Sequence, residues 1–285
     1  MDTVQHYNKP MTDVIKERTS IRTYESKSLD EKKEQDLTDY INTIDAPFNG
    51  SVRFKIVDNA ASLNNNIKLG TYGVIKGASS FIAAAVSPGE FNLEELGYKL
   101  EKIILYATSL GLGTCWLGGT FKKGEFSKAM KLEEGEILPI ITPIGYKAES
   151  KSIVEKLMRS VAGSNNRKQW EDIFFDGSFD KKLSPEEGGK FKDALEMVRL
   201  APSASNKQPW RIVKSENTIH FYLCHAKGYS NSLDFDIQRI DMGIAMSHFD
   251  LVIKESGIIG NFKDLEPNIK EPNENYEYII SWVLE

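Results

Sequence analysis

The chain has little of what marks several common classes of protein. Two cysteines, Cys115 and Cys224, in 285 residues are too few for a disulfide framework or a four-cysteine zinc site. The four histidines, His6, His220, His225 and His248, form no HExxH or other metal-ligand spacing. No GxSxG elbow, no GK[ST] phosphate loop and no GxGxxG opening a helix occurs. No apolar run approaches the roughly 20 residues that span a bilayer, and the first eighteen residues hold no apolar signal-peptide core. Positive charge is not in excess. Lys plus Arg is 36 against 41 for Asp plus Glu, a net charge of −5, which argues against a nucleic-acid binder. A soluble, cytoplasmic protein that meets neither membrane nor nucleic acid is expected. The material for a core is present, with 40% hydrophobic and 27% charged residues. The length allows one large domain or two small ones.

Periodicity supplies the elements. Helices are expected over 11–18 and about 30–44, the second behind the start signal Ser28-Leu29-Asp30-Glu31. Val52, Phe54 and Ile56 alternate with Arg53 and Lys55 in a half-buried strand over 51–57, and 80–86 reads as a buried strand. Leu96, Leu100, Ile103, Ile104, Ala107 and Leu110 mark a helix that Gly111 and Gly113 stop. Pro139 and Pro143 make 137–146 an edge or bulged strand. Residues 148–170 are polar and basic. The order then resumes with a helix from Ser184 through Val198, strands over 211–214 and 219–223, a helix over 241–256 ended by Gly257, and a strand over 276–284.

That resumption is a repeat. Ala46-Pro47 and its strand are echoed by Ala201-Pro202 and the strand from Trp210; each long helix ends in glycine, and each half closes with a strand. Two copies of one α+β unit account for this economically. The halves are expected at 1–180 and 181–285.

Four segments can carry chemistry. Arg18-Thr19-Ser20-Ile21-Arg22 offers two guanidiniums and two hydroxyls at a helix end, a phosphate grip or a solvated basic turn. Residues 200–211, LAPSASNKQPWR, form a rigid loop dense in donors and acceptors, suited to the edge of a flat heteroaromatic ligand. Residues 110–119, LGLGTCWLGG, hold four glycines that admit close backbone approach, with Trp116 and Leu117 able to cover a ring or fill the core. Asn166-Arg167-Lys168 taken alone reads as a surface patch. Cys115 lacks a partner base and reads as structural.

Taken together, RTSIRTY (18–24), APSASNKQPWRIV (201–213), LGLGTCWLGG (110–119) and the distal PIGY (143–146) with NRK (166–168) resemble the nitroreductase family of FMN-dependent oxidoreductases, over nearly the whole chain. The resemblance implies an α+β, nitroreductase-like fold. Ordinary members are homodimers whose flavin sites draw on both subunits. Here the RxSxR and APSxxNxQPW motifs lie about 180 residues apart. The first-half counterpart of the second motif, Asp45–Phe54, lacks its SxxNxQPW chemistry, and the second-half counterpart of RTSIR, Ile173–Asp180, has no arginine. The chain therefore looks like a fused pseudo-dimer, a monomer with one FMN.

By that resemblance Arg18, Thr19, Ser20 and Arg22 hold the FMN phosphate and ribityl chain, with Arg167 and Lys168 opposite. Trp116, Leu117, Gly118 and Gly119 pack beside the isoalloxazine, the Gly118 amide meeting N5. Pro202, Ser203, Ala204 and Asn206 close the site, and Thr71 and Tyr72 approach the pyrimidine edge. The implied reaction is ping-pong, with NADH or NADPH reducing FMN and a nitroaromatic, quinone or unknown acceptor leaving with the electrons. No catalytic side chain is implied. Reductive dehalogenation, flavin breakdown, or flavin binding and storage without turnover are the alternatives.

Overall fold

The structure, a computed structural model, describes residues 7–149, 166–229 and 233–285. The first six residues, with His6, and most of the polar stretch 148–170 lie outside the described residues. The first part of the chain contains α1 (Met11–Glu17), α2 (Glu31–Thr43), β1 (Val52–Asp58), α3 (Asn59–Asn64), β2 (Ser80–Val86), α4 (Asn92–Ser109), β3 (Gly113–Thr114), α5 (Lys123–Met130) and β4 (Ile137–Gly145). The rest contains β5 (Phe174–Asp176), β6 (Ser178–Lys182), α6 (Lys192–Leu200), β7 (Trp210–Ser215), β8 (Thr218–Cys224), α7 (Ile237–Glu255), β9 (Gly260–Lys263) and β10 (Tyr276–Leu284).

The expected repeat is present in the topology. One sheet runs β1-β2-β4-β3, and the other contains β7-β8-β10-β9 with the same antiparallel pairing. In each, a long helix leads from the second strand to the short edge strand. Both helices stop alike. Gly111 (φ +77°) and Gly257 (φ +70°) turn left-handed, and the amides of Leu112 and Ile258 reach back to the carbonyls of Ala107 and Ile253, a Schellman closure.

The two units meet through α4 and α7. Gly97 and Gly243 face each other at the crossing. A Cβ at Gly97 would stand 2.1 Å from the Ile240 carbonyl oxygen, and one at Gly243 would stand 2.0 Å from that of Glu94. The helices are buried nearly all round, as expected of a pair at the centre of a fold. Their apolar faces, with Ile103, Ile104, Phe249 and Ile253, join one core that reaches Trp210 and Trp282. A smaller core under α5 holds Phe81, Phe126 and Leu138 on the far face of the first sheet.

Two expectations hold in part and two are corrected. Of the two alternatives for β4, edge or bulged, the bulge is present and the edge position is not, since β4 lies between β2 and β3. It tolerates Pro139 because Leu138 and Pro139 share a bulge opposite Ala85. Asp30 begins α2 without capping it; its carboxylate accepts the Tyr146 hydroxyl at 2.5 Å. Ser184 and Glu187 exchange capping-box hydrogen bonds, yet Gly189 (φ +55°) interrupts the run and α6 begins only at Lys192. The segment 173–180 is not the spatial counterpart of 18–24. Ser20 bridges to β3, whereas β5 lies parallel to β7, on the opposite edge of the repeated order.

The crossing yields a test. Gly97→Ala should cost about 3 kcal/mol or more, because its methyl meets backbone that cannot move aside. Gly124→Ala, in open space on α5, should be stabilising by about 0.5–1 kcal/mol. Urea unfolding of both variants measures the difference.

Candidate functional site

The site is built on α1, whose buried Met11, Val14 and Ile15 seat it on the central helices. Its first amide, on Met11, donates to the Glu255 carboxylate at 2.9 and 3.0 Å, a charged partner for otherwise orphaned helix donors. At the other end Arg18 closes the helix onto the Val14 carbonyl at 3.0 Å. The chain then runs beside β3, with the Ile21 amide donating to the Thr114 carbonyl at 2.8 Å. Gly113 permits this approach, since a Cβ there would stand 2.9 Å from Ile21 Cγ1. That glycine serves the chain's own packing, not a ligand.

Across from this strand lies the loop between α6 and β7. Ser205, Asn206 and Gln208 hold φ near +50°, a costly conformation for side-chain-bearing residues that persists only where surroundings enforce it. They do so here. Asp241 Oδ1 accepts the Ala204 amide at 2.9 Å, and the Gln208 amide donates to Ser203 Oγ at 2.8 Å. Gln208 Nε2 and Asn206 Nδ2 both donate to the Asn166 carbonyl. Arg167 donates to Asn206 Oδ1 at 2.7 Å and to the Leu200 carbonyl at 3.0 Å.

Between these walls lies a cavity of about 480 Å³. Arg18, Thr19, Ser20, Arg22, Trp116 and Gly118 line one side. Arg167, Pro202, Ser203, Ala204 and Asn206 line the other. Five expected residues are not among its lining. Leu117 turns into the core under α5. Gly119 is exposed. Thr71 is buried, its hydroxyl accepting the Ile75 amide, and Tyr72 is 69% exposed. Lys168 serves as scaffold, its amide donating to Gln208 Oε1 at 2.8 Å. In their place α7 contributes Ile237, Ile240, Asp241 and Ile244, and β4 contributes Ile140. Those isoleucines and Asp241 carry no motif, and Ile237 and Ile240 lie before the helix expected from 241.

The polar end of the cavity is cationic. The buried Nε atoms of Arg18 and Arg22 have no hydrogen-bond partner. Burial, reinforced by Arg18 and Arg199, pushes the Arg167 guanidinium down to about 10. An anion placed among these groups would supply the missing acceptor and relieve the repulsion. Behind them stands Glu101, fully buried on α4. It accepts Trp116 Nε1 at 2.8 Å, contacts His248 Nε2 at 2.9 Å and lies 3.7 Å from Arg18 Nε. His248 Nδ1 lies 2.9 Å from the Met197 carbonyl, so that nitrogen carries a proton. Burial, with Asp236 adding to it, pushes the Asp241 carboxyl well above the usual carboxylate range. Cys115 is buried, its amide donating to Thr142 Oγ1 at 3.1 Å, in keeping with a structural cysteine.

Among the described residues no group of His, Cys, Asp or Glu could hold a metal ion, and no helix is long and apolar enough to cross a membrane. The model of the family described as "Putative TM nitroreductase" matches residues 11–253. A solved structure from Thermotoga maritima, described as a "putative nitroreductase", superposes with a TM-score of 0.60 at 20% identity, covering 98% of this chain and 94% of its own; at that identity the likeness is one of fold. A nitroreductase with bound FMN from Bacteroides fragilis is 19% identical, with a TM-score of 0.42, over 51% of this chain and 92% of its own. No curated protein matches the chain.

Two outcomes follow from the buried acids. Glu101→Ala leaves Trp116 Nε1 without its buried acceptor and removes the carboxylate that faces His248 and Arg18, and should cost about 3 kcal/mol in chemical unfolding. The folded Asp241 carboxyl holds its proton to higher pH than the unfolded one, which releases it above about pH 4. Folding therefore takes up a proton from that pH upward, and wild-type stability relative to Asp241→Asn should fall as pH rises. Urea midpoints of both proteins across pH 4–8 measure the slope.

Proposed function

The chain belongs to the nitroreductase family, and from that premise we propose that it is an FMN-dependent NAD(P)H oxidoreductase with one FMN per chain. The observation that carries this reading is the division of the cavity. Three arginines gather at its polar end, and Ile140, Ile237, Ile240, Ile244 and Trp116 give the rest an apolar lining. A flat ring with an anionic tail suits that division.

FMN, when bound, supplies the hydride chemistry, accepting from NAD(P)H and donating to an acceptor such as a nitroaromatic or quinone. The chain's part is to bind, orient and exclude water. Arg18, Ser20, Arg22 and Arg167 would hold the phosphate and ribityl end. Trp116, fixed by Glu101, and Gly118 would flank the ring. Gly118 suits a close wall: a Cβ there would stand 2.6 Å from Ile237 Cδ1. The strained loop would close the site from the second half, so that one chain does the work of a dimer.

One flavin per chain follows from the corresponding place in the other half. A second cavity, of about 350 Å³, is walled by Phe91, Glu94, Asp264 and Glu277. Phe91 and Glu94 lie six and three residues before Gly97, as Ile237 and Ile240 lie before Gly243. The cationic group there, Arg239, already binds Glu94 at 2.6 Å and also pairs with Glu277. Carboxylates and a spent guanidinium are a poor host for a phosphate.

Purified protein should carry or take up one FMN per chain, and rapid mixing with NADH or NADPH should bleach it. Two flavins per chain would refute the single-site reading. A flavin that neither nucleotide reduces would favour storage over turnover. Arg18→Ala should weaken FMN binding about 100-fold, the loss of a buried charge-assisted partner. Arg211→Ala should change it little, since Arg211 donates to the Gln208 and Trp210 carbonyls and does not line the cavity. Fluorescence titration of FMN compares them.

A further inference from the structure

Asp241 is the one acidic side chain among the described residues of the cavity wall, and it is 2% exposed. Its Oδ1 is occupied by the Ala204 amide. Its Oδ2 is equally buried and has no hydrogen-bond partner. An orphaned buried oxygen on a residue that lines a cavity calls for a partner, and a bound ligand is one that could supply it.

The internal repeat supplies a comparison within the same molecule. Glu95 stands two residues before Gly97, as Asp241 stands two before Gly243. Glu95 performs the same anchoring task, its Oε2 accepting the Phe48 amide at 3.2 Å. One turn further along α4, Lys99 meets Glu95 Oε1 at 2.6 Å. One turn beyond Asp241 the residue is Ala245, fully buried and apolar. Among the described residues, therefore, the first acid is paired with a cation and the second is not. The ionisable groups acting on Asp241 among the described residues are Asp236 at the start of α7 and Tyr229 in the segment before it. Neither provides positive charge. A buried carboxylate without a counter-charge is disfavoured against its neutral form.

We infer that Asp241 is a hydrogen-bond donor of the cavity, a neutral carboxylic acid whose carbonyl oxygen anchors the Ala204 amide and whose Oδ2–H is offered to a ring carbonyl oxygen or imine nitrogen of the bound flavin. This rests on the reading of the cavity as an FMN site. The neutral acid selects a ligand with a lone pair at that point, and it keeps negative charge away from a cavity that must receive a phosphate.

Infrared spectroscopy of the protein freed of FMN tests the first half. The wild-type minus Asp241→Asn difference at pH 7 should contain the carbonyl stretch of a protonated carboxylic acid. FMN titration tests the second. Asp241→Asn keeps an acceptor for Ala204 and a donor at the second position, and should bind within about 3-fold of wild type. Asp241→Leu keeps neither, and should lose about 10-fold or more. Loss of the loop anchor alone would lower affinity too, so the visible bands of bound FMN are read as well; they should shift in Asp241→Leu and stay in place in Asp241→Asn. An ionised carboxylate in the infrared, or FMN bound tenfold more tightly by Asp241→Asn, would overturn the proposal, as would an Asp241→Leu protein equal to wild type. If Asp241→Leu fails to fold, the infrared band and the Asn variant decide. Wild-type protein that takes up no FMN would refute the flavin reading itself, a failure told apart because the infrared band is read without FMN.

Discussion

Two helix backbones meet at Gly97 and Gly243 with no room for a Cβ on either, and the site depends on that contact. Ridge-and-groove packing of ordinary side chains would hold the helix axes at about 8–10 Å and leave some freedom of register. Here each glycine meets the other helix's backbone, so no side chain fits and the register is locked. The lock places Glu101, four residues past Gly97, against His248, five past Gly243. It also presents Asp241 to the strained loop and Ile237 to Gly118. The cavity keeps its shape because α7, which carries part of its wall, cannot slide along α4, which holds Glu101 behind it.

Topological symmetry around that crossing coexists with chemical asymmetry. Each central helix carries an acid two residues before its glycine, and each acid holds the amide of a loop that follows an Ala-Pro pair. The walls then diverge. Ile240 at one position is Glu94 at the other, and Ala245 is Lys99. One place becomes an apolar slot with cations at its end, the other a set of closed ion pairs around Arg239. Equivalent backbone does not imply equivalent chemistry; the side chains at a few helix positions decide which place accepts an anionic, ring-bearing ligand.

The order of strands and helices was legible in the sequence because it follows from periodicity, and 80–86 and 276–284 lie where alternation and apolar runs put them. Boundaries failed where a local signal met a tertiary one. Ser184 and Glu187 form their capping box, but Gly188 and Gly189 delay the helix. Pro139 left an edge or a bulged strand open, and the bulge is what absorbs it inside the sheet. The motif residues of the site were readable because arginine, hydroxyl and proline clusters are rare. Glu101, Asp241 and the isoleucines of α7 were not, since a polar or apolar residue on a helical stripe looks the same whether it faces core or cavity. Leu117 shows the converse: an isolated bridge to Ile141 holds it, and its side chain lies in the core under α5 while its neighbour Trp116 lines the cavity.

Glu101 explains how a chain can hold buried arginines together before a ligand neutralises them. Unpaired buried cations are expensive, and a carboxylate that fully paired Arg18 would compete with a phosphate for its donors. Glu101 does neither. One oxygen takes the Trp116 indole N–H and the other faces His248. Arg18 Nε stays at 3.7 Å, within the field of the carboxylate and beyond hydrogen-bond reach. The negative charge is felt while the donor is left unspent. The same carboxylate fixes Trp116 at the cavity wall, so the group that makes the cationic end tolerable also shapes the apolar end. Net charge over the chain is −5, but the quantity that matters for an anionic ligand is this local one, set by a single acid whose two oxygens are already occupied.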